Sequence, residues 1–392
     1  MDWPTKKSPQ SGSGLAQLAA GLSKRLAEEN PRTNLVFSPL SIYTALSLLA
    51  AGARDTTPDE ILRILGARSC GELESFVSRM AADALQDRSA SGGPRVAFAC
   101  GVWSDLSRPL KPAFREAVVG TIQGRGKHRQ LPGRTGGSAW PDQRSINPAI
   151  TRVVLGNAVY FKGKWEDQAF DKRDTMHESF YRLDRSKVDV PFMQSTMSQF
   201  VAVHDGFKVL KLRYKMACAS PSVFSGSNRT RYTQFSMCIF LPDAHDGLWG
   251  LLDTIESRPG FLHDHLPEQQ IALREFRMPK FKLSFHSSIV AVLKKLGLEL
   301  PFCEHGNLSG MVEDDGSGLP IVVGDVIHKA VVEVNEEGTE AGAVTVLVGA
   351  LGCARPPSLP TPPQVDFIAD HPFSYYIVEE ATGAIVFAGA RP

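Results

Sequence analysis

This sequence has almost no net charge: 43 Lys and Arg face 42 Asp and Glu, a formal +1 over 392 residues. So weak a field draws in neither nucleic acid nor an acidic membrane surface, and neither is expected as a partner. Long apolar runs are missing too, and nothing approaches the roughly 20 residues of a membrane helix. The N-terminal MDWPTKKSPQSGSG is basic but lacks the apolar stretch of a secretory signal, so a cytoplasmic location is expected. Cysteine is sparse. Cys70, Cys100, Cys218, Cys238, Cys303 and Cys353 are scattered, form no CxxC, and are expected as free thiols.

Catalytic motifs are absent as well. GxSxG, HExxH, the P-loop and GxGxxG do not occur. His263 and His265 stand two apart beside Leu266 and Pro267, with no third ligand at a useful spacing, and read as a surface turn. No catalytic residue, metal or cofactor is expected, and the chain does not read as an enzyme.

What remains is a globular chain, 43% hydrophobic and 22% charged, with enough apolar residues for a large core. Leu15, Leu18, Leu22 and Leu26 repeat at helical spacing. Ser38 before Pro39 marks a helix start, and SIYTALSLLAAGA after it is apolar nearly all round, as in a buried helix. TTPDEILRILGA opens on Thr-Pro, carries Asp59 and Glu60 where carboxylates offset the helix dipole, and ends near a glycine. LWGLLDTI and SSIVAVLKKLGL read as further helices.

VAFACGVW, TRVVLGNAVYFKGKW, KVDVPFM, FKVLKLRY, QFSMCIFLP and FRMPKFKLSF read as strands. IVVGDVIHKAVVEVN reads as a strand pair, and FSYYIVEEATGAIVFAGA as two strands around a turn. The mixture lacks a regular βαβ alternation, so an α+β fold with large sheets is expected. No linker divides the chain, and one domain over 1–392 is expected. From Thr121 to Ile150 the sequence turns to Gly, Arg and Pro with no sustained period and reads as loop.

One family likeness runs through most of the chain. It is carried by NLVFSPLSIYTALSLLAAGA, RVVLGNAVYFKGKW, GFKVLKLRYK, FSMCIFLPDAHDGLW, FRMPKFKLSF, IHKAVVEVNEEGTEA and VDFIADHPFSYYIVEEATGAIVFAG. The combination of NEEGTEA with a later DHPF is the most specific part. The chain resembles the serpins, and among them the plant-type serpins.

The resemblance implies a serpin fold with three β-sheets, about eight or nine helices and an exposed reactive-centre loop, here residues 336–365. It implies a monomer that inhibits a target protease by a one-use mechanism. The target is of the serine class, with the cysteine class as the second candidate. Members of the family also act outside cells, which leaves an extracellular site as the alternative to the cytoplasm.

Position by position, the resemblance makes Glu336, Glu337, Gly338, Thr339, Glu340, Ala341, Ala343 and Thr345 the hinge that inserts into the central sheet. Ser38, Ser41, Asn157 and His328 match a polar cluster beneath that sheet where its strands part, and Trp165 a tryptophan at the top of the opening. Side chains alternate faces along a strand. If Thr339 points inward, so do Ala341, Ala343, Thr345, Leu347, Gly349 and Leu351, all small or uncharged. Glu340 then falls on the solvent side, and no charge has to be buried when the segment inserts.

Two features depart from the family. Counting the family spacing from Gly338 places the reactive bond at Gly352–Cys353, and where plant relatives commonly carry Leu-Arg before the cut this chain has Leu351-Gly352. Gly352 has no side chain for a protease specificity pocket, so a trypsin-like target is not expected, and cleavage after Leu351 is the alternative. Residues 120–150 replace a sheet strand and its covering helix with a basic, Gly-rich segment. These departures keep a second reading open, a non-inhibitory binding or storage protein of the same fold, and a third, a degenerate gene product.

Overall fold

The computed structural model describes residues 10–104, 108–121, 151–166, 170–217, 233–339 and 365–392. The chain begins with α1 (Gln10–Glu29), β1 (Leu35–Phe37) and α2 (Pro39–Gly52). Ser38 caps α2, its hydroxyl accepting from the Ser41 amide, and Pro39 supplies the fixed φ of a first helical residue. All but one of the residues of α2 are buried, because the helix is apolar on every side. Next come α3 (Thr57–Leu65), α4 (Cys70–Asp83), β2 (Arg95–Ser104), α5 (Pro112–Thr121) and β3 (Thr151–Lys164).

The second half runs β4 (Met176–Tyr181), β5 (Lys187–Gln194), β6 (Gln199–His204), β7 (Phe207–Arg213), β8 (Phe235–Pro242), α6 (Leu248–Ser257) and α7 (Phe261–Asp264). It continues with β9 (Gln270–Ile271), β10 (Leu273–Pro279), β11 (Phe281–Ser288) and α8 (Val290–Lys295). It ends with β12 (Val322–Asn335), β13 (Gly338–Thr339), β14 (Val365–Ile368), β15 (Phe373–Glu379) and β16 (Ala384–Arg391).

Among the described residues these make eight α-helices and three sheets, an α+β architecture. One sheet has seven strands in the order β1-β16-β15-β8-β7-β6-β9. A second has four, β14-β10-β5-β4. The third has five, β11-β12-β13-β3-β2, and will be called the central sheet. The core lies between the central and seven-stranded sheets. Phe161 of β3 meets Phe235 of β8 and Phe387 of β16 edge-on there, and α2 packs against both β3 and β16.

Three sequence assignments change. IVVGDVIHKAVVEVN is one strand, β12, not a pair. Gly324 marks a register shift between Val323 and Asp325 instead of a turn. FRMPKFKLSF is two strands, because Pro279 ends β10 and β11 leaves for a different sheet. His263 and His265 sit in and just after the short helix α7, with ring nitrogens on the carbonyls of Gly383 (2.8 Å) and Phe261 (2.7 Å).

Candidate functional site

The central sheet forks. β3 and β12 pair in parallel from Thr151 and Val322 as far as Tyr160 and Val331. Beyond that the two strands part, and β13 enters between them, antiparallel to both. Thr339 lies between Val334 and Gly163, and Gly338 between Asn335 and Lys164. A two-residue strand is thus already wedged into the mouth of a gap between two 14-residue strands.

The wedge is fixed from below. Thr339 is fully buried and faces the core, where its Oγ1 is 2.8 Å from the Tyr214 hydroxyl. Trp165 stacks on Tyr214 with ring centroids 4.7 Å apart, and its indole N–H donates to the Asn335 carbonyl at 2.9 Å. The Trp165 amide donates to the Glu337 carbonyl at 3.0 Å.

Gly338 has φ +138°, and a Cβ there would lie 2.0 Å from the Gly163 carbonyl oxygen and 2.6 Å from the Lys164 Cα. Only glycine fits. The carboxylate of Glu336 is nearly buried and accepts from Thr175 Oγ1 (2.6 Å) and Lys280 Nζ (2.9 Å). Burial by itself would raise its pKa; the hydrogen bonds from Thr175 and Lys280 win and hold it below the usual carboxylate value. Glu337 pairs with Lys172 at the surface, at 2.5 Å.

Below the fork, where β3 and β12 are still joined, the structure brings Ser38, Ser41, Asn157 and His328 together. His328 and Asn157 are register partners. His328 Nε2 accepts from the Ser38 amide at 2.9 Å, and its Nδ1 contacts Asn157 Oδ1. Ser41 Oγ donates to the same Asn157 oxygen at 2.9 Å. Nε2 can accept only if it carries no proton, so Nδ1–H is the donor and the ring is neutral. Asn157 Nδ2 is buried and has no hydrogen-bond partner among the described residues. Capping of α2 places Ser38 and Ser41 here, so helix start and sheet centre share one pair of serines.

Burial pushes the His328 pKa down to about 3. An exposed imidazole in the unfolded chain takes its proton near 6.5. Between these values the unfolded state binds the extra proton, so this group's contribution to stability is intact above about pH 6.5 and is lost as pH falls toward 3. The slope is at most about 1.4 kcal/mol per pH unit. His328→Gln keeps a donor and an acceptor but cannot titrate. Urea unfolding should show the parent losing roughly 3 kcal/mol more than the variant between pH 7 and pH 4. An equal loss in both proteins would contradict the buried neutral imidazole.

Of the residues expected to act, Glu336, Glu337, Gly338, Thr339 and Trp165 meet at the fork, and Ser38, Ser41, Asn157 and His328 form the cluster beneath it. Glu340, Ala341, Ala343, Thr345, Leu351, Gly352 and Cys353 lie outside the described residues, as does the segment 122–150. Tyr214, Thr175 and Lys280 complete the fork and were not legible. Each comes from a strand or turn with an ordinary pattern, and nothing local marks its distant partner.

A family model described as Serpin (serine protease inhibitor) matches residues 13–128 and 141–391, so that residues 129–140 of the atypical segment fall outside it. The serpin-Z2A of Oryza sativa subsp. japonica is 43% identical over 413 residues, covering 96% of each chain. The Arabidopsis AtSerpin1, solved in its native stressed conformation, superposes with a TM-score of 0.79 at 34% identity over 97% of each chain. Human thyroxine-binding globulin, solved with its ligand, shares the fold at a TM-score of 0.73 and 22% identity over 97% of each chain. A match across nearly the whole chain, together with close likeness to plant serpins, shows that this chain belongs to the serpin family.

Proposed function

We propose that this protein inhibits serine proteases as a one-use trap, its loop after Thr339 inserting between β3 and β12 once it has been cut. Insertion of a serpin reactive loop is itself a known instance of strand addition and of strain release. The energetic reason is visible in the register. At present β3 and β12 share one ladder over most of their length. A strand inserted between them replaces that ladder with two, and each backbone hydrogen bond contributes on the order of 1 kcal/mol net.

The observation that carries this reading is the register of the wedge. Asn335 pairs with Gly338, and Gly338 with Lys164. Extending both pairings residue by residue brings Leu351 opposite Val322, the first residue of β12, and opposite Thr151, the first residue of β3. The segment from Gly338 to Leu351 is therefore the length of the gap, and it ends at the bond before Gly352. In the inserted state Thr345 would fall between Asn157 and His328, which now bond each other. Its hydroxyl would replace the contact that insertion breaks, and it offers an acceptor to the orphaned Asn157 Nδ2. The small, uncharged inward face of the segment needs no further partner.

The test is a denaturing gel after mixing the protein with chymotrypsin-like, elastase-like and papain-like proteases. A stable high-mass band, with the cut mapped by mass spectrometry to Leu351 or Gly352, is the expected result. Cleavage with fully active protease would instead support the binding-protein reading, which the missing side chain at Gly352 favours.

A further inference from the structure

A second constellation lies outside the fork. His371 and its neighbour Asp370 sit in the turn between β14 and β15, and His245 in the loop between β8 and α6. One ligand atom from each lies within 4.8 Å of those of the other two. His371 is 7% exposed, Asp370 half-buried and His245 exposed. The two imidazole centroids are 4.6 Å apart, and His245 also rests edge-on against Tyr181.

The hydrogen bonds of His371 set this site apart from a chance cluster. Its Nε2 is 2.6 Å from the Pro242 carbonyl, which can only accept. Nε2 therefore carries the proton. Its Nδ1 lies 2.8 Å from Asp370 Oδ1. In a neutral imidazole that leaves a lone pair facing a carboxylate oxygen, a contact that either a second ring proton or a bound metal ion resolves. A metal-bound histidine has this same arrangement: one nitrogen on the metal and the other N–H held by a backbone carbonyl that fixes ring and tautomer.

We propose that His245, Asp370 and His371 form a zinc site, with His371 Nδ1, one Asp370 carboxylate oxygen and one His245 nitrogen as ligands. Two imidazoles and a carboxylate are a donor set that zinc accepts in tetrahedral geometry with a solvent molecule in the fourth position. Ligand atoms on such a centre stand about 3.3 Å apart. Reaching that spacing needs the exposed His245 ring to move in and the 2.8 Å His371–Asp370 contact to open by a side-chain adjustment. The pairing with Asp370 alone, through a doubly protonated His371, is the rival account, and it gives His245 no role.

The site would act as a clamp. Among the described residues β14 is the edge of the four-stranded sheet and pairs with β10 alone. It is also the first described strand after the reactive loop. A metal just past its end joins that strand's exit to the β8–α6 loop, which belongs to the seven-stranded sheet.

The experiment uses full-length protein freed of metal with a chelator and titrated with zinc chloride alone in a calorimeter. His245→Ala is the main variant, because an exposed side chain can be removed without disturbing the core; Asp370→Asn is the second. The expected result is one zinc per chain, bound at least about tenfold more weakly by either variant. Zinc should also raise the melting temperature of the parent and leave that of His245→Ala unmoved. No binding, or binding that His245→Ala leaves intact, overturns the proposal. Neither readout depends on whether the protein inhibits a protease.

Discussion

Under the proposed insertion mechanism, Thr345→Arg should convert the protein from an inhibitor into a cleaved substrate. Inserted in the register of Gly338 and Thr339, residue 345 arrives between Asn157 and His328. Its neighbours there are Ser38, Ser41, Asn157 and His328, all buried and none acidic. An arginine in that position is a buried charge without a partner, at a cost of about 3–5 kcal/mol. Trapping is a race between strand insertion and release of the cut loop, and each 1.4 kcal/mol on the insertion barrier slows it about tenfold. The covalent band on a denaturing gel should therefore fall by about 100-fold or more, with cleaved chain in its place. Thr345→Val keeps the shape but not the hydroxyl, leaves His328 and Asn157 unsatisfied, and should fall between parent and arginine variant. An arginine variant that traps as well as the parent would show the register, or the insertion itself, to be wrong.

Gly338→Ala should drive the wedge out of the sheet. The added Cβ meets backbone on β3, the Gly163 carbonyl and the Lys164 Cα, so no side-chain rotation relieves it. The φ of +138° is itself strained for any residue with a Cβ, by about 1–3 kcal/mol. Expulsion forfeits the Tyr214–Thr339 hydrogen bond and the two short ladders of β13. Two readouts follow. The Thr339 amide should exchange with solvent far faster, and unfolding free energy should drop by about 1–3 kcal/mol. The variant should also trap poorly, because insertion in this register keeps residue 338 in the same narrow place between Asn335 and Lys164. Unchanged exchange at Thr339 would mean that the fork tolerates a side chain that the geometry excludes.

The elements most visible in the sequence are those whose burial is nearly total. α2, β8, β15 and β16 read correctly because almost every residue in them is apolar. α4 was not assigned, although its signals are there. Ser69 caps it, and Leu73, Phe76, Val77 and Met80 recur at helical spacing. β12 was split because Gly324 in a strand pattern reads as a turn, when here it accompanies a bulge.

The site was legible in a different way. Nothing in the spacing of His328 indicates that its ring meets a serine amide 290 residues away. The hinge and the polar cluster were placed by family resemblance, and the structure adds what resemblance does not contain: the wedge, its register and its clamps. Glu60 shows the limit of local reasoning. Read as a helix-dipole carboxylate, it also accepts from the amides of Glu299 and Leu300, a contact between distant segments. His245 and Asp370 are as far beyond the reach of pattern, since neither neighbourhood suggests a ligand.

The measurement that most directly tests the central claim is the melting temperature before and after a single cut in the loop. The chain would be nicked with a trace of protease, with one cut at Leu351 or Gly352 verified by mass spectrometry. If the freed strand fills the gap between β3 and β12, the nicked protein gains a second ladder and should melt more than about 10 °C above the intact one. A nicked protein that melts at the same temperature as the intact one, or below it, would contradict the account.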